Sequence, residues 1–135
     1  MAESPDLQKI QSEWFQFGEE DRTNAKVLFN ARGSVPGVGI LLQQSVEKYL
    51  KGYLTGRGWE LIRTHDLELL LDHTIRYDQR FSNFLAFGRK VTTFYVTDRY
   101  PPMGKFSVTA EEMKILIETG DRLIALVTNQ MEDEK

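Results

Sequence analysis

Apolar residues recur along this chain at spacings of three and four, and nowhere do they alternate with period two. That pattern leaves helix packed on helix as the means of building a core. In the first segment Ile10, Trp14, Phe17, Ala25 and Leu28 fall on one helical stripe, with Asp21 on the same line. The breaker run ARGSVPG ends it. The second segment, GVGILLQQSVEKYLKGYL, aligns Val38, Leu42, Val46, Tyr49 and Tyr53, with Gln44, Glu47, Lys48 and Lys51 on the opposite stripe, until TGRG stops it. A third helix starting at Thr64-His65-Asp66, with Thr64 as its N-cap, buries Leu67, Leu70, Leu71 and Ile75. A fourth presents Phe81, Phe84, Leu85, Gly88, Val91 and Tyr95 and ends before Pro101-Pro102. The last begins at Thr109, where Glu112 completes a capping box, and carries Met113, Leu116, Ile117, Leu123, Ile124 and Val127. Gly120 on that face admits a close neighbour. The expected fold is all-α, an antiparallel up-and-down bundle of four to five helices.

With 135 residues, 41% of them hydrophobic, the chain supports one domain with its own core. We place it at 7–128, with 1–6 and 129–135 as frayed tails. A net charge of -3 supplies no global field for nucleic acid, so phosphate binding requires a local basic patch. The absence of cysteine excludes disulfides, thiolate metal sites and a cysteine nucleophile, and fits a reducing compartment. No apolar run approaches the ~20 residues of a membrane span, and the polar start MAESPDLQKI is unlike a signal peptide. A cytoplasmic location is expected. No P-loop, GxGxxG or Gly-x-Ser-x-Gly is present, and no cofactor is expected.

Both histidines lie in RTHDLELLLDH. Eight residues apart on a helix they are separated by ~12 Å of rise and ~80° of rotation, which prevents them from sharing a metal ion. His73, beside Asp72 and off the apolar face, reads as solvated. Around His65 two readings stand. Thr64 and Asp66 suit a plain helix start, and the polar stripe of the second segment suits a solvated face with Glu47 and Lys51 paired at i,i+4. Alternatively Lys48, Lys51, Arg57 and Arg63 converge with His65 on that start and hold a phosphate, an anion site made of cations and a helix N-terminus. Arg99 and Tyr100 also divide. As structure, Tyr100 fills the core and Arg99 pairs with a carboxylate such as Asp21. As function, Tyr100 stacks on a base and Arg99 holds a phosphate. Trp59, in a Gly-rich turn, suits an interface anchor.

Three stretches in this order, Gln43-Gln44 with Glu47-Lys48 and Lys51, then His65-Asp66-Leu67, then Arg99-Tyr100-Pro101, resemble the HEPN domain family over roughly residues 10 to 128. Asp21 and Ala25 match that family's first-helix pattern D-L-x-x-A, although Arg22 stands where leucine is usual. The resemblance implies a helical bundle, usually homodimeric, that binds nucleotide or nucleic-acid phosphate. Many relatives accompany a minimal nucleotidyltransferase partner as toxin–antitoxin pairs. The resemblance and the local cations together make Lys48, Lys51, Arg57, Arg63, His65, Asp66, Arg99 and Tyr100 the candidate binding residues. Some HEPN domains are metal-independent ribonucleases that use R-x(4–6)-H. Here seven residues separate Arg57 from His65 and one separates Arg63 from it, so the motif is unmatched. His65 is the one residue that would serve as acid or base in such an enzyme. A non-catalytic interaction module remains the further alternative.

Overall fold

A computed structural model describes residues 6–99 and 108–133. Among these residues there are five α-helices, one 3-10 helix and no strand. The helices are α1 (Leu7–Asn30), α2 (Val35–Thr55), α3 (Leu67–Ile75), α4 (Leu85–Arg99) and α5 (Ala110–Asp133), with the 3-10 turn Gln79–Phe84 leading into α4. The fold is the all-α bundle that the periodicity predicts. No helix among the described residues is long and apolar enough to cross a membrane.

α2 is the axis of the molecule. It packs against each of the other four α-helices and is buried on nearly every side along its second half. Ser34 caps it by accepting from the Gly37 N–H, and Pro36 falls in the first turn, where a missing N–H is harmless. Val38, Leu42, Val46, Tyr49 and Tyr53 are in the core as expected. The opposite stripe is not the solvated face that an amphipathic helix would show. Glu47 and Lys51 are each only 7% exposed.

α1 lies along α2 through small residues. A Cβ on Gly52 would come within 2.8 Å of Trp14 Cβ and 2.9 Å of the Phe15 ring, so the two backbones approach as only glycine permits. This contact line runs through Gln11, Gly18 and Ala25. It turns the first half of the predicted stripe outward, where Phe17 is 54% exposed and Ile10, Trp14 and Phe17 line a surface pocket with Glu13, while Ala25 is buried and Leu28 packs on the core as expected. Asp21 on that stripe is explained by its ion pair with Lys48 of α2. Arg22 holds Asp121 of α5 at 2.9 Å, and Lys26 holds the same carboxylate at 3.0 Å. The departure of Arg22 from the expected leucine therefore ties α5 to α1.

The second close approach joins α2 to α4. A Cβ on Gly39 would stand 2.3 Å from the Phe94 ring. Phe87 and Phe94, together with Val91, form the buried face of α4. The predicted face began earlier, at Phe81 and Phe84, but those residues belong to the 3-10 turn that Asp78 starts by accepting from the Arg80 N–H. Only Phe81 of that pair is fully buried. α5 starts as expected: the Glu112 N–H donates to Thr109 Oγ1 at 3.0 Å and Glu112 Oε1 receives the Thr109 N–H at 3.4 Å. Asp6, assigned to a frayed tail, accepts from the Lys9 N–H and caps α1. α5 continues past residue 128 to Asp133, since nothing in TNQMED breaks a helix.

Two measurements check this packing. Gly52→Ala forces α1 from α2 and should destabilise by about 1–3 kcal/mol, read in chemical denaturation. The second concerns Tyr49, whose hydroxyl donates to Glu19 Oε2 at 2.8 Å. Burial raises the Glu19 pKa, but the hydrogen bonds from Tyr49 and Arg22 outweigh it and hold the carboxyl below its ordinary 4.5. A carboxyl depressed by folding contributes fully above its unfolded value and loses that contribution as pH falls through its folded one. Tyr49→Phe should therefore lower stability at neutral pH by about 1 kcal/mol, the low end for a charged hydrogen bond because Glu19 is half exposed. The deficit should shrink below pH 4.5.

Candidate functional site

The polar side of α2 meets the segment before α3, and a carboxylate stands at the centre. Glu47 Oε1 lies 2.8 Å from His65 Nδ1, and Glu47 Oε2 receives Lys51 Nζ at 2.8 Å. Gln43 Nε2 donates to Glu47 Oε1 at 2.9 Å and to the His65 carbonyl at 3.0 Å. Gln43, Glu47 and Lys51 follow one another at i, i+4 and i+8, so a single line of α2 presents an amide, a carboxylate and an ammonium in that order. Gln43 is fully buried, and its Oε1 has no hydrogen-bond partner among the described residues. Turning the amide over would aim that oxygen at two acceptors, so the orientation with two donated bonds is the consistent one.

The imidazole of His65 stacks on Tyr95 of α4, with centroids 4.1 Å apart and planes 22° from parallel. Its side chain is still 51% exposed. A carboxylate at Nδ1 accepts only, so the ring donates there and its remaining polar atom is Nε2. Backbone, carboxylate and aromatic ring fix the histidine from three directions, which is what a group that transfers or donates a proton requires.

The start of α3 differs from expectation. Asp66, not Thr64, is the N-cap: its carboxylate accepts from the N–H groups of Glu68 and Leu69. Thr64 Oγ1 instead accepts from the Asp66 N–H, ahead of the helix. The Leu67 N–H donates to Thr92 Oγ1 of α4. The first N–H groups of this helix are thus occupied, and an anion has no amide cradle there.

The sequence-predicted cations are dispersed. Lys51 alone joins His65, and through Glu47 rather than directly. Lys48 turns to Asp21 on the α1 side. Arg57 lies over the Tyr53 ring, 3.6 Å from its centroid, and 5.2 Å from that of Tyr77. Arg63 is exposed on the loop two residues before His65. Arg99 closes α4, but its side chain, Tyr100 and Pro101 lie outside the described residues. His73 is not solvated: it packs at 4.8 Å on Trp59, whose Nε1 donates to the Tyr77 hydroxyl. That contact also explains Trp59, which seals the loop after α2 against α3. Among the described residues no three His, Asp or Glu side chains gather to hold a metal.

Gln43, Glu47 and Tyr95 were not among the predicted site residues. The i, i+4, i+8 polar line along α2 was the available signal for the first two. Tyr95 carried none, because its partner is brought by tertiary packing. A family model described as HEPN domain matches residues 11–130. No curated protein and no solved structure gives a match.

The buried pair is testable by stability. Lys51→Met or Glu47→Leu alone leaves a buried charge without its counter-ion and should cost about 3–5 kcal/mol in denaturant unfolding. The double variant Glu47→Leu/Lys51→Met removes both charges and should recover most of that loss.

Proposed function

The chain belongs to the HEPN domain family, and from that premise we propose that it binds the phosphate of a nucleotide or nucleic acid at His65, as a cytoplasmic homodimer working with a minimal nucleotidyltransferase partner in a toxin–antitoxin-like module. One arrangement carries the binding role: an imidazole half exposed to solvent, stacked on Tyr95, with its inner nitrogen held by Glu47 at 2.8 Å. An imidazole held this way needs no further ordering: Nε2 accepts from a ligand hydroxyl while the ring is neutral and donates to a phosphate oxygen as the imidazolium, whose charge Glu47 stabilises. Arg63, exposed on the adjoining loop, is the cation available to a second phosphate oxygen. Lys48 and Arg57 face other partners and contribute at most to the surrounding potential.

The carboxylate–imidazole pair also favours a second reading, metal-independent RNA cleavage. Here His65 Nε2 takes the proton of a ribose 2′-hydroxyl, the 2′-oxygen attacks the adjacent phosphorus, and the 5′-oxygen leaves and takes a proton from water. Glu47 orients the imidazole and stabilises its cation, as a carboxylate does in a catalytic triad. The unmatched R-x(4–6)-H spacing keeps this reading second.

Titration of the purified chain with ATP, GTP and a single-stranded oligoribonucleotide tests both. We expect saturable binding that weakens about tenfold or more in His65→Ala, the loss of one charge-assisted hydrogen bond. Absence of binding at millimolar ligand rejects the nucleotide site. RNA cleavage that persists in His65→Ala rejects His65 as the acid–base group.

A further inference from the structure

We infer that Lys51 and Glu47 are positioning residues that hold His65 in its Nδ1–H form, and that Lys51 does not itself touch the ligand. This deepens the nucleotide reading above and rests on it. Lys51 is 7% exposed, and its Nζ is spent on Glu47 Oε2 at 2.8 Å. An ammonium so enclosed reaches a bound phosphate only by abandoning a buried carboxylate, which is strongly unfavourable. Its work is instead done through Glu47. The two carboxylate oxygens have separate duties: Oε2 receives Lys51, and Oε1 receives Gln43 Nε2 together with the ring of His65. The lysine neutralises the carboxylate and pins its plane, so that Oε1 is aimed at Nδ1. Gln43 adds a second tie, because the same amide also grips the His65 carbonyl at 3.0 Å. The outcome is a relay from α2 that puts the hydrogen on Nδ1 and leaves Nε2 as the working atom. In the neutral ring Nε2 is an acceptor for a ligand hydroxyl; with Glu47 stabilising the imidazolium, it takes up a proton and donates to a phosphate oxygen. Tyr95 of α4 stacks on the ring, and Arg63 and Asp66 flank the histidine on its own segment. Asp66 is committed to the Glu68 and Leu69 amides.

The two histidines of the chain make the relay observable by ¹⁵N NMR of the ring nitrogens, assigned with His65→Gln, at a pH where the ring is neutral. In the unliganded wild type, His65 should be the Nδ1–H tautomer. In Glu47→Leu/Lys51→Met, verified as folded by circular dichroism, it should revert to the Nε2–H form that a free imidazole favours. Binding of a single-stranded oligoribonucleotide should weaken about tenfold in that double variant, on the scale seen when the outer partner of a ligating histidine is removed. The slope of log affinity against log salt should stay as in the wild type. An Nε2–H ring in the wild type, or a tautomer indifferent to the double substitution, overturns the relay. A slope shallower by about 0.7, the change expected when one phosphate of a single strand is no longer neutralised, makes Lys51 a ligand-binding cation and overturns it too. If the wild type shows Nδ1–H yet binds no oligoribonucleotide or ATP, the relay stands and the nucleotide reading falls.

Discussion

A glutamate and a lysine enclosed within the central helix set the terms for the rest of the molecule. Moving an ion from water into a protein interior costs several kcal/mol even after relaxation, and the pair's attraction offsets that only where every remaining donor and acceptor is also satisfied. Glu47 meets the condition with three partners, from Lys51, Gln43 and His65. Two of these lie on α2 itself, one turn to either side. The third lies just ahead of α3. Folding α3 onto α2 therefore completes a charge cluster as well as a hydrophobic contact, and the histidine is ordered by the same event that closes the core.

The position of α2 follows from this. A helix surrounded by four others needs an apolar surface on most sides, and α2 has one apart from the line 43–47–51 and other bonded polar residues, among them Ser45 on the Gly18 carbonyl and Lys48 on Asp21. Glycine lets α1 draw close on one flank and α4 on another. The Asp21–Lys48 pair and the Arg22–Asp121–Lys26 cluster lie at the outer seams, where partial solvation makes each worth less but fixes the pairing of helices. Ionic contacts here select the arrangement, and apolar burial supplies most of the stabilisation.

Much of the fold was legible in the sequence because helical spacing and caps are local. The order of helices, the Thr109–Glu112 box and the core face of α2 could all be read from neighbours a few residues apart. The first half of α1 was misread because spacing defines a stripe without saying which side is covered. There Gln11 and Gly18 marked the covered side, and neither carries hydrophobic weight. The site was half legible. His65 and Lys51 stand out as residue types, but the pairing of Lys51 with Glu47 instead of a ligand depends on burial, which a charged i,i+4 pair on paper does not reveal. Thr64 and Asp66 are both good caps, and the one that caps is settled by where the chain leaves the loop.

The contact of Phe94 with the bare backbone at Gly39 has a bearing far from the place where it occurs. Phe94 precedes Tyr95, so the seating of one ring in the groove of α2 determines how far the next side chain reaches toward the imidazole. A methyl group at position 39 acts as a wedge under α4. It shifts the lid of the histidine without altering any residue that meets it. Variation near the amino end of α2 thereby becomes a remote adjustment of ring spacing, and a chain could retune its stacking platform while every residue of the polar line stays the same.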